Sequence, residues 1–236
     1  MSMPREDHRP VSERRVREMF TRVAGRYELG NALMTLGMSR LWRREITRRA
    51  AARPGDIVLD LATGTGQLAL DAGRAQPDAF VIGADLTPAM LEIAQRAPTA
   101  SSVAWVCMDA HHLPLPDDSV DVVTHGYLLR YLDLHAGLKE QHRVLTTGGR
   151  VVALETSPGS RSFTGRAAAR ITTFWPRLVG RAIGQTVEDY EFLQSSSLSF
   201  TAPEAVIDAL EGAGFAECGY RPFLGGMLTV FWGTKP

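Results

Sequence analysis

From residue 57 onward, short and nearly continuous apolar runs alternate with stretches in which apolar residues recur every three or four positions. The runs IVLDLA (57–62), AFVIGA (79–84), VAWVCM (103–108), VDVVTH (120–125) and RVVALE (150–155) predict strands. Being apolar throughout rather than alternating, they suit a parallel sheet covered on both faces. Helix signals fall between them. Leu68, Ala69 and Ala72 follow the first run, and Thr87-Pro88 supplies an N-cap and a first-turn proline ahead of Met90, Ala94 and Ala97. After Asp133, Leu134, Leu138 and Leu145 recur at helical spacing, and Gly148-Gly149 is expected to end that helix. Strand–helix–strand alternation implies right-handed crossovers and a doubly wound sheet.

Nearer the C-terminus, Thr201-Ala-Pro-Glu204 has the form of a capping box, Val206 and Leu210 share a face, and Gly214 stands where a helix would end. Two apolar segments around 215–220 and 227–232, with Gly225-Gly226 between them, predict an antiparallel pair. The pattern therefore gives an α/β, Rossmann-like fold with a seven-stranded, mostly parallel sheet and an antiparallel C-terminal strand. At 236 residues, with no internal repeat, one domain over 1–236 is expected. Its parts are a helical N-terminal cover (1–55), a cofactor-binding core (56–157), a lid insertion (158–200) and a C-terminal helix with a strand pair (201–236).

Hydrophobic residues make up 44% and charged residues 22%, the balance of a packed protein. No run approaches the roughly 20 apolar residues a membrane-spanning helix needs, and the first residues hold no apolar signal core, so a cytoplasmic location is expected. Cys107 and Cys218 stand alone in separate apolar segments and read as buried thiols rather than a disulfide or metal pair. The zero net charge hides an asymmetry: residues 1–56 carry 13 Arg against 7 acids, whereas 57–155 carry 6 basic and 12 acidic residues. That basic excess is too small to argue for nucleic-acid binding.

The most informative stretch is Val58-Leu-Asp60-Leu-Ala-Thr-Gly64-Thr65-Gly66-Gln, a strand running into a glycine turn and then a helix. Such a turn lets backbone approach a ligand closely, and its glycines alone fit a dinucleotide site as well. The acids separate the two ligands. Asp60, at the strand end, would be unfavourable beside a pyrophosphate but can hold an ammonium group. Asp85 follows the second strand, where it can accept two ribose hydroxyls, and Asp109-Ala110 follows the third, within reach of an adenine amino group. Singly, each acid has an ordinary reading as a turn or surface residue. Together they lie beyond successive strands on the carboxyl edge where open α/β sheets bind ligands, which points to S-adenosyl-L-methionine. Leu86 and Gly126 lie on the same edge and complete the expected cofactor set.

With these residues in hand, the chain resembles the C-methyltransferase family of ubiquinone and menaquinone biosynthesis, a class I S-adenosylmethionine-dependent methyltransferase family. The likeness spans about Val16 to Trp232. It includes Val16-x-x-Met-Phe20-x-x-Val-Ala-x-x-Tyr27, Asn31, Leu41-Trp42-Arg43, Leu113-Pro114-Leu-Pro116-Asp117, Arg143-Val-Leu-x-x-Gly148-Gly-Arg150, Glu155 and Tyr190-x-Phe-Leu193. Carried over residue by residue, it implies Thr65, Asp85, Asp109 and Ala110 as cofactor contacts. It also implies C-methylation of a quinol or related small, lipophilic aromatic acceptor. Departures concern the acceptor: Gln67 replaces an acid, Tyr27-Glu28-Leu-Gly30-Asn31 replaces Tyr-Asp-x-x-Asn, and Gly126-Tyr-Leu-Leu-Arg130-Tyr131 replaces Ser-Phe-Gly-Leu-Arg-Asn. They leave open an O- or C-methyltransferase of phenolic or polyketide metabolism, or a cofactor-binding cyclase or scaffold.

Methyl transfer from a sulfonium needs alignment and removal of a proton, and no metal. His125, at the end of the fourth strand, is the candidate base, with a hydrogen-bonded structural histidine as the competing reading. Tyr27 and Arg130 are candidates to orient an acceptor oxygen, and so is Tyr127 unless it merely packs. His111 and His112 read as solvated loop residues. The stretch 157–187 has no acid but carries Arg166, Arg170, Arg177 and Arg181 among aliphatic and aromatic residues, the composition of a lid with a basic face that suits contact with a membrane surface. A homodimer is compatible with the sequence, which fixes no oligomeric state.

Overall fold

The computed structural model describes residues 13–35, 37–157 and 200–236. The expected lid at 158–200, with its basic face, lies outside them except for Phe200, which is buried. Seven strands form one sheet: β1 (Ile57–Leu61), β2 (Phe80–Asp85), β3 (Val103–Cys107), β4 (Val120–Gly126), β5 (Leu145–Thr156), β6 (Ala216–Phe223) and β7 (Leu228–Thr234). Their order is β3-β2-β1-β4-β5-β7-β6. Neighbours pair in parallel except β7, which runs antiparallel to both β5 and β6. The order reverses between β1 and β4, and ligands of open α/β sheets bind at that switch point.

Helices cover both faces, as the uninterrupted apolar strands require. One face packs β1, β4 and β5 against α6 (Leu134–Val144) and α7 (Pro203–Gly212) through Leu59, Val123, Leu138, Val151, Val206 and Leu210. The other packs Val58, Val81, Val122 and Val152 against α3 (Ser39–Ala50) and α4 (Gln67–Ala75), with Trp42 and Ile46 at its centre. The N-terminal cover consists of α1 (Glu13–Val23), α2 (Tyr27–Met34) and α3. Met19 and Val23 of α1 pack on Met90 of α5 (Pro88–Ala94), which seats the cover beside the carboxyl ends of β1 and β2.

Local signals placed most ends correctly. Asp133 caps α6 by accepting the Ala136 N–H at 2.9 Å, and Pro88 and Pro203 open their helices. Three expectations are corrected. Helix α6 ends at Val144, and Gly148-Gly149 instead form an excursion within β5, where pairing with β4 jumps from Val120↔Leu145 to Val122↔Arg150. The Thr201–Glu204 box does not form, because Ala202 occupies the cap position. Cys107 is exposed and Cys218 only partly buried, since β3 and β6 are the sheet's edge strands.

A contact the periodicity does not reveal supports the switch point. The Trp105 ring of β3 lies across the glycine turn and β2, so that a Cβ added at Gly66 would stand 2.4 Å from the ring and one at Gly83 2.5 Å. The two glycines let the indole pack flat beneath the turn. Gly83→Ala, at a position with no backbone demand for glycine, is therefore expected to destabilise the protein by roughly 1–3 kcal/mol through overpacking. The double variant Gly83→Ala/Trp105→Leu should lose less than the sum of the single losses in thermal denaturation, because the clash exists only when both side chains are present; simple additivity would refute the contact.

Candidate active site

At the carboxyl edge of β1, β2 and β4 lies a cleft of about 800 Å³, counting space open to solvent. Ala62, Gly64, Asp85, Leu86, Met108, Asp109, Ala110 and Gly126 line it from the sheet. Val16, Phe20 and Tyr27 line it from the cover, and Tyr127, Leu128, Tyr131 and Leu132 from the segment after β4.

The turn after β1 is built from left-handed backbone: φ is +49° at Ala62, +57° at Gly64 and +82° at Gly66. Gly64 faces open space where a side chain would otherwise stand, and its N–H donates to Asp85 Oδ2 at 2.8 Å. Asp85 Oδ1 accepts the Thr87 N–H at 2.8 Å. Asp85 is 8% exposed, and burial raises its pKa above the usual carboxylate range although the two N–H groups oppose this. A nearly buried carboxylate that lines a cleft, held by two backbone N–H groups and by Thr87, fits the diol of a ribose. Leu86, Met108 and Ala110 line the same cleft with apolar groups suited to a purine, and Asp109 lines it with them. These residues fit S-adenosylmethionine.

Asp60 is placed differently from the expectation. It is 1% exposed and absent from the cleft wall. Its Oδ2 accepts the Thr63 hydroxyl at 2.6 Å and its Oδ1 the Thr124 hydroxyl at 2.8 Å. Burial pushes its pKa up to about 7, against the pull of Thr63, Thr124 and the Ala69 N–H. The side chain braces β1, β4 and the glycine turn from within. Thr65, 4% exposed, donates its hydroxyl to Glu28 of α2. Gly66 lies against Trp105 rather than the cleft.

His125 is not brought to the cleft. It is 0% exposed, and both ring nitrogens lack hydrogen-bond partners among the described residues. Strand parity explains this: Thr124 points to Asp60, so residue 125 shares the opposite face with Val123, under α6. Gln141 of α6 is its polar neighbour, without hydrogen-bond geometry, and burial pulls the histidine pKa down to about 4. Gly126, one residue on, reaches the cleft instead.

Arg130 is likewise below the surface. Its guanidinium pairs with Glu155, which is 0% exposed, and its backbone N–H donates to the same carboxylate at 3.2 Å. The guanidinium carbon lies 5.2 Å from the Tyr127 ring centroid and 5.9 Å from that of Tyr131. The pair thus sits beneath two cleft tyrosines, one of which, Tyr127, has φ of +62°. Tyr27 does line the cleft, and burial raises its phenol well above the ordinary value, as it does for Tyr127. Both stay protonated near neutrality and can donate hydrogen bonds.

Several cleft residues were not anticipated. His111, expected in solvent, lines the cleft and meets Asp109 Oδ1 through Nδ1 at 2.9 Å. Phe20 stands edge-on to Tyr27 and to Tyr131, with centroids 6.2 and 6.1 Å away. Phe20 and Tyr131 were already visible as part of the opening signature and as a departure from the family pattern. Met90 and Met108 read from sequence only as core residues.

Comparison with known proteins agrees with this geometry. Residues 8–235 match the model of the ubiE/COQ5 methyltransferase family. The ubiquinone/menaquinone biosynthesis C-methyltransferase UbiE of Desulfotalea psychrophila is 37% identical over 221 residues, 93% of this chain and 90% of the relative. The demethylmenaquinone methyltransferase of Thermus thermophilus is 36% identical over 92% of this chain and all of its own length. Among solved structures, a SAM-dependent methyltransferase of Thermotoga maritima superposes with a TM-score of 0.65 at 20% identity, covering 93% of this chain and 99% of its own. One from Aquifex aeolicus gives 0.58 at 17% identity, covering 82% and 89%. At such identities these two establish a shared fold.

The brace at Asp60 has a pH signature. Its folded pKa of about 7 lies above the ordinary 3.8, so its contribution to stability is fully present below 3.8 and is lost as pH rises through 7. The melting temperature of Asp60→Asn, which keeps the shape without the charge, should gain on that of the unsubstituted protein as pH rises across this window. A difference independent of pH would mean that the carboxyl is ionised without penalty in the fold.

Proposed function

The chain belongs to the ubiE/COQ5 methyltransferase family, and we propose that its acceptor is a ring carbon of a prenylated quinol or a closely related lipophilic aromatic. It is an S-adenosylmethionine-dependent methyltransferase of class I fold. The observation that carries the acceptor reading is the division of the cleft. Its sheet side holds the acids and glycines suited to an adenosyl group, whereas its cover side is apolar and aromatic, formed by Val16, Phe20, Tyr27, Tyr131 and Leu132. The quinone-pathway names of the relatives support the same reading.

When bound, the cofactor supplies an electrophilic methyl group on a positively charged sulfur. The chain's residues fix where that methyl points. Asp85 would take the ribose hydroxyls, Asp109 and Ala110 the adenine, and the Gly64 turn leaves room for the methionine end. A quinol ring carbon that takes the methyl group loses one proton overall. Tyr27 and Tyr127, held protonated by burial, would donate hydrogen bonds to the acceptor oxygens and orient the ring rather than act as bases. Arg130 and Glu155 serve as the buried support on which Tyr127 and Tyr131 stand.

Incubation with methyl-labelled cofactor and prenylated quinols, followed by mass location of the label, tests the reading. Label on a ring carbon is expected, and label confined to oxygen, or none, would overturn it. His125→Leu replaces a fully buried, unpartnered ring by an apolar side chain of similar size. Its turnover is expected within about threefold of the parent, since loss of a positioned base would cost about 10²–10⁴-fold. A loss of that size, in a protein whose circular dichroism is unchanged, would restore the histidine to a catalytic role.

A further inference from the structure

A carboxylate beside the glycine turn can receive the cofactor's ammonium group, and three acids bond to the turn. Asp60 is buried, with both oxygens engaged by Thr63 and Thr124. Asp85 has one oxygen on Gly64 and the other on Thr87, and stands at the end of β2, on the ribose side. Glu28 is in the first turn of α2, next to Tyr27 of the cleft wall. One of its oxygens accepts the Thr65 hydroxyl, across 37 residues of sequence. The other makes no hydrogen bond among the described residues, and the residue is exposed beside the cleft wall rather than among its lining residues.

Thr65 fixes where Glu28 sits. It is 4% exposed and stands between two glycines in left-handed conformation, so its hydroxyl is held in one place and Glu28 must come to it. The electrostatics favour a cation here. Apart from His111, at the β3 end of the cleft, no basic side chain among the described residues lines it, while Asp85 and Asp109 line it and Glu28 reaches the turn through Thr65.

We propose that Glu28 is the carboxylate that receives the cofactor's ammonium group, and that its contact with Thr65 ties the N-terminal cover to the cofactor turn. Asp60 is then a brace and not a ligand, consistent with the burial that pushes its pKa up to about 7. The inference rests on the methyltransferase reading and adds to it one contact, charge-assisted and partly exposed. It also gives the cover a means to sense the cofactor, because the group that binds the ammonium belongs to the helix that carries Tyr27.

Calorimetry with three ligands tests it: S-adenosylmethionine, S-adenosylhomocysteine, and 5′-methylthioadenosine, which keeps the adenosyl and sulfur parts but has no amino-acid portion. Glu28→Gln preserves an acceptor for Thr65 and removes the charge. It is expected to weaken the first two ligands by about tenfold or more and to leave 5′-methylthioadenosine within twofold. Asp85→Ala, the reference, should weaken all three. Thr65→Val should raise hydrogen exchange in α2 of the unliganded protein. Unchanged binding of S-adenosylmethionine by Glu28→Gln would overturn the proposal, as would equal weakening of all three ligands, which would show that Glu28 acts only by holding the cover. If the unsubstituted protein bound none of the three, the methyltransferase reading itself would fall, an outcome distinct from either.

Discussion

The carboxyl group of Asp60 is enclosed where β1, β4 and the glycine turn meet, with the Thr63 hydroxyl on one oxygen and the Thr124 hydroxyl on the other. Burying a carboxylate is costly unless its oxygens are satisfied, and here hydroxyls from two chain segments 61 residues apart satisfy them together with the first turn of α4. The group therefore fixes the one place where sheet order reverses. The turn keeps its left-handed path, Gly64 reaches Asp85, and the cleft opens between β1 and β4 because this junction holds.

Around that junction the molecule divides its labour by strand parity and by distance along the sheet. Thr124 and Gly126 of β4 face the brace and the cleft, while Val123 and His125 face α6. Toward β3 the cleft offers Asp85, Asp109 and His111, and toward the cover it offers rings and aliphatic chains. The unusual backbone is concentrated at this edge, with positive φ at Ala62, Gly64, Gly66 and Tyr127. Strain of this kind persists where the surroundings over-determine it. Under Tyr127 the surroundings are the buried Arg130–Glu155 pair and the hydrogen bond from the Tyr127 N–H to the Leu154 carbonyl at 2.8 Å.

On the proposed function, placing an apolar, aromatic cover against an acidic edge would let a lipophilic ring and a charged nucleoside share one cleft. Phe20 stands between Tyr27 and Tyr131 in edge-to-face geometry, which fixes the wall without filling the space before it. Because α1 rests on α5 through Met19, Val23 and Met90, the wall is anchored on the same helix that follows Asp85.

Much of this was legible along the chain, because the signals were local. Continuous apolar runs specify buried parallel strands, prolines and Asp133 mark helix starts, and acids just past successive strands fall on one edge whatever the details of packing. On that basis the sheet, its antiparallel closing strand, the glycine turn and the placing of Gly64, Asp85, Asp109 and Ala110 along one cleft were readable. What the tertiary structure decided are relations with no local signal. A one-residue difference in strand parity sends His125 to the core and Gly126 to the cleft, since successive side chains point to opposite faces. Asp60 has its oxygens engaged partly because Thr124 arrives from 64 residues away, and Glu28 meets Thr65 only because α1 and α5 seat the cover. Spacing along a sequence encodes period and termini; which atoms a polar side chain finds across the fold depends on packing between distant segments.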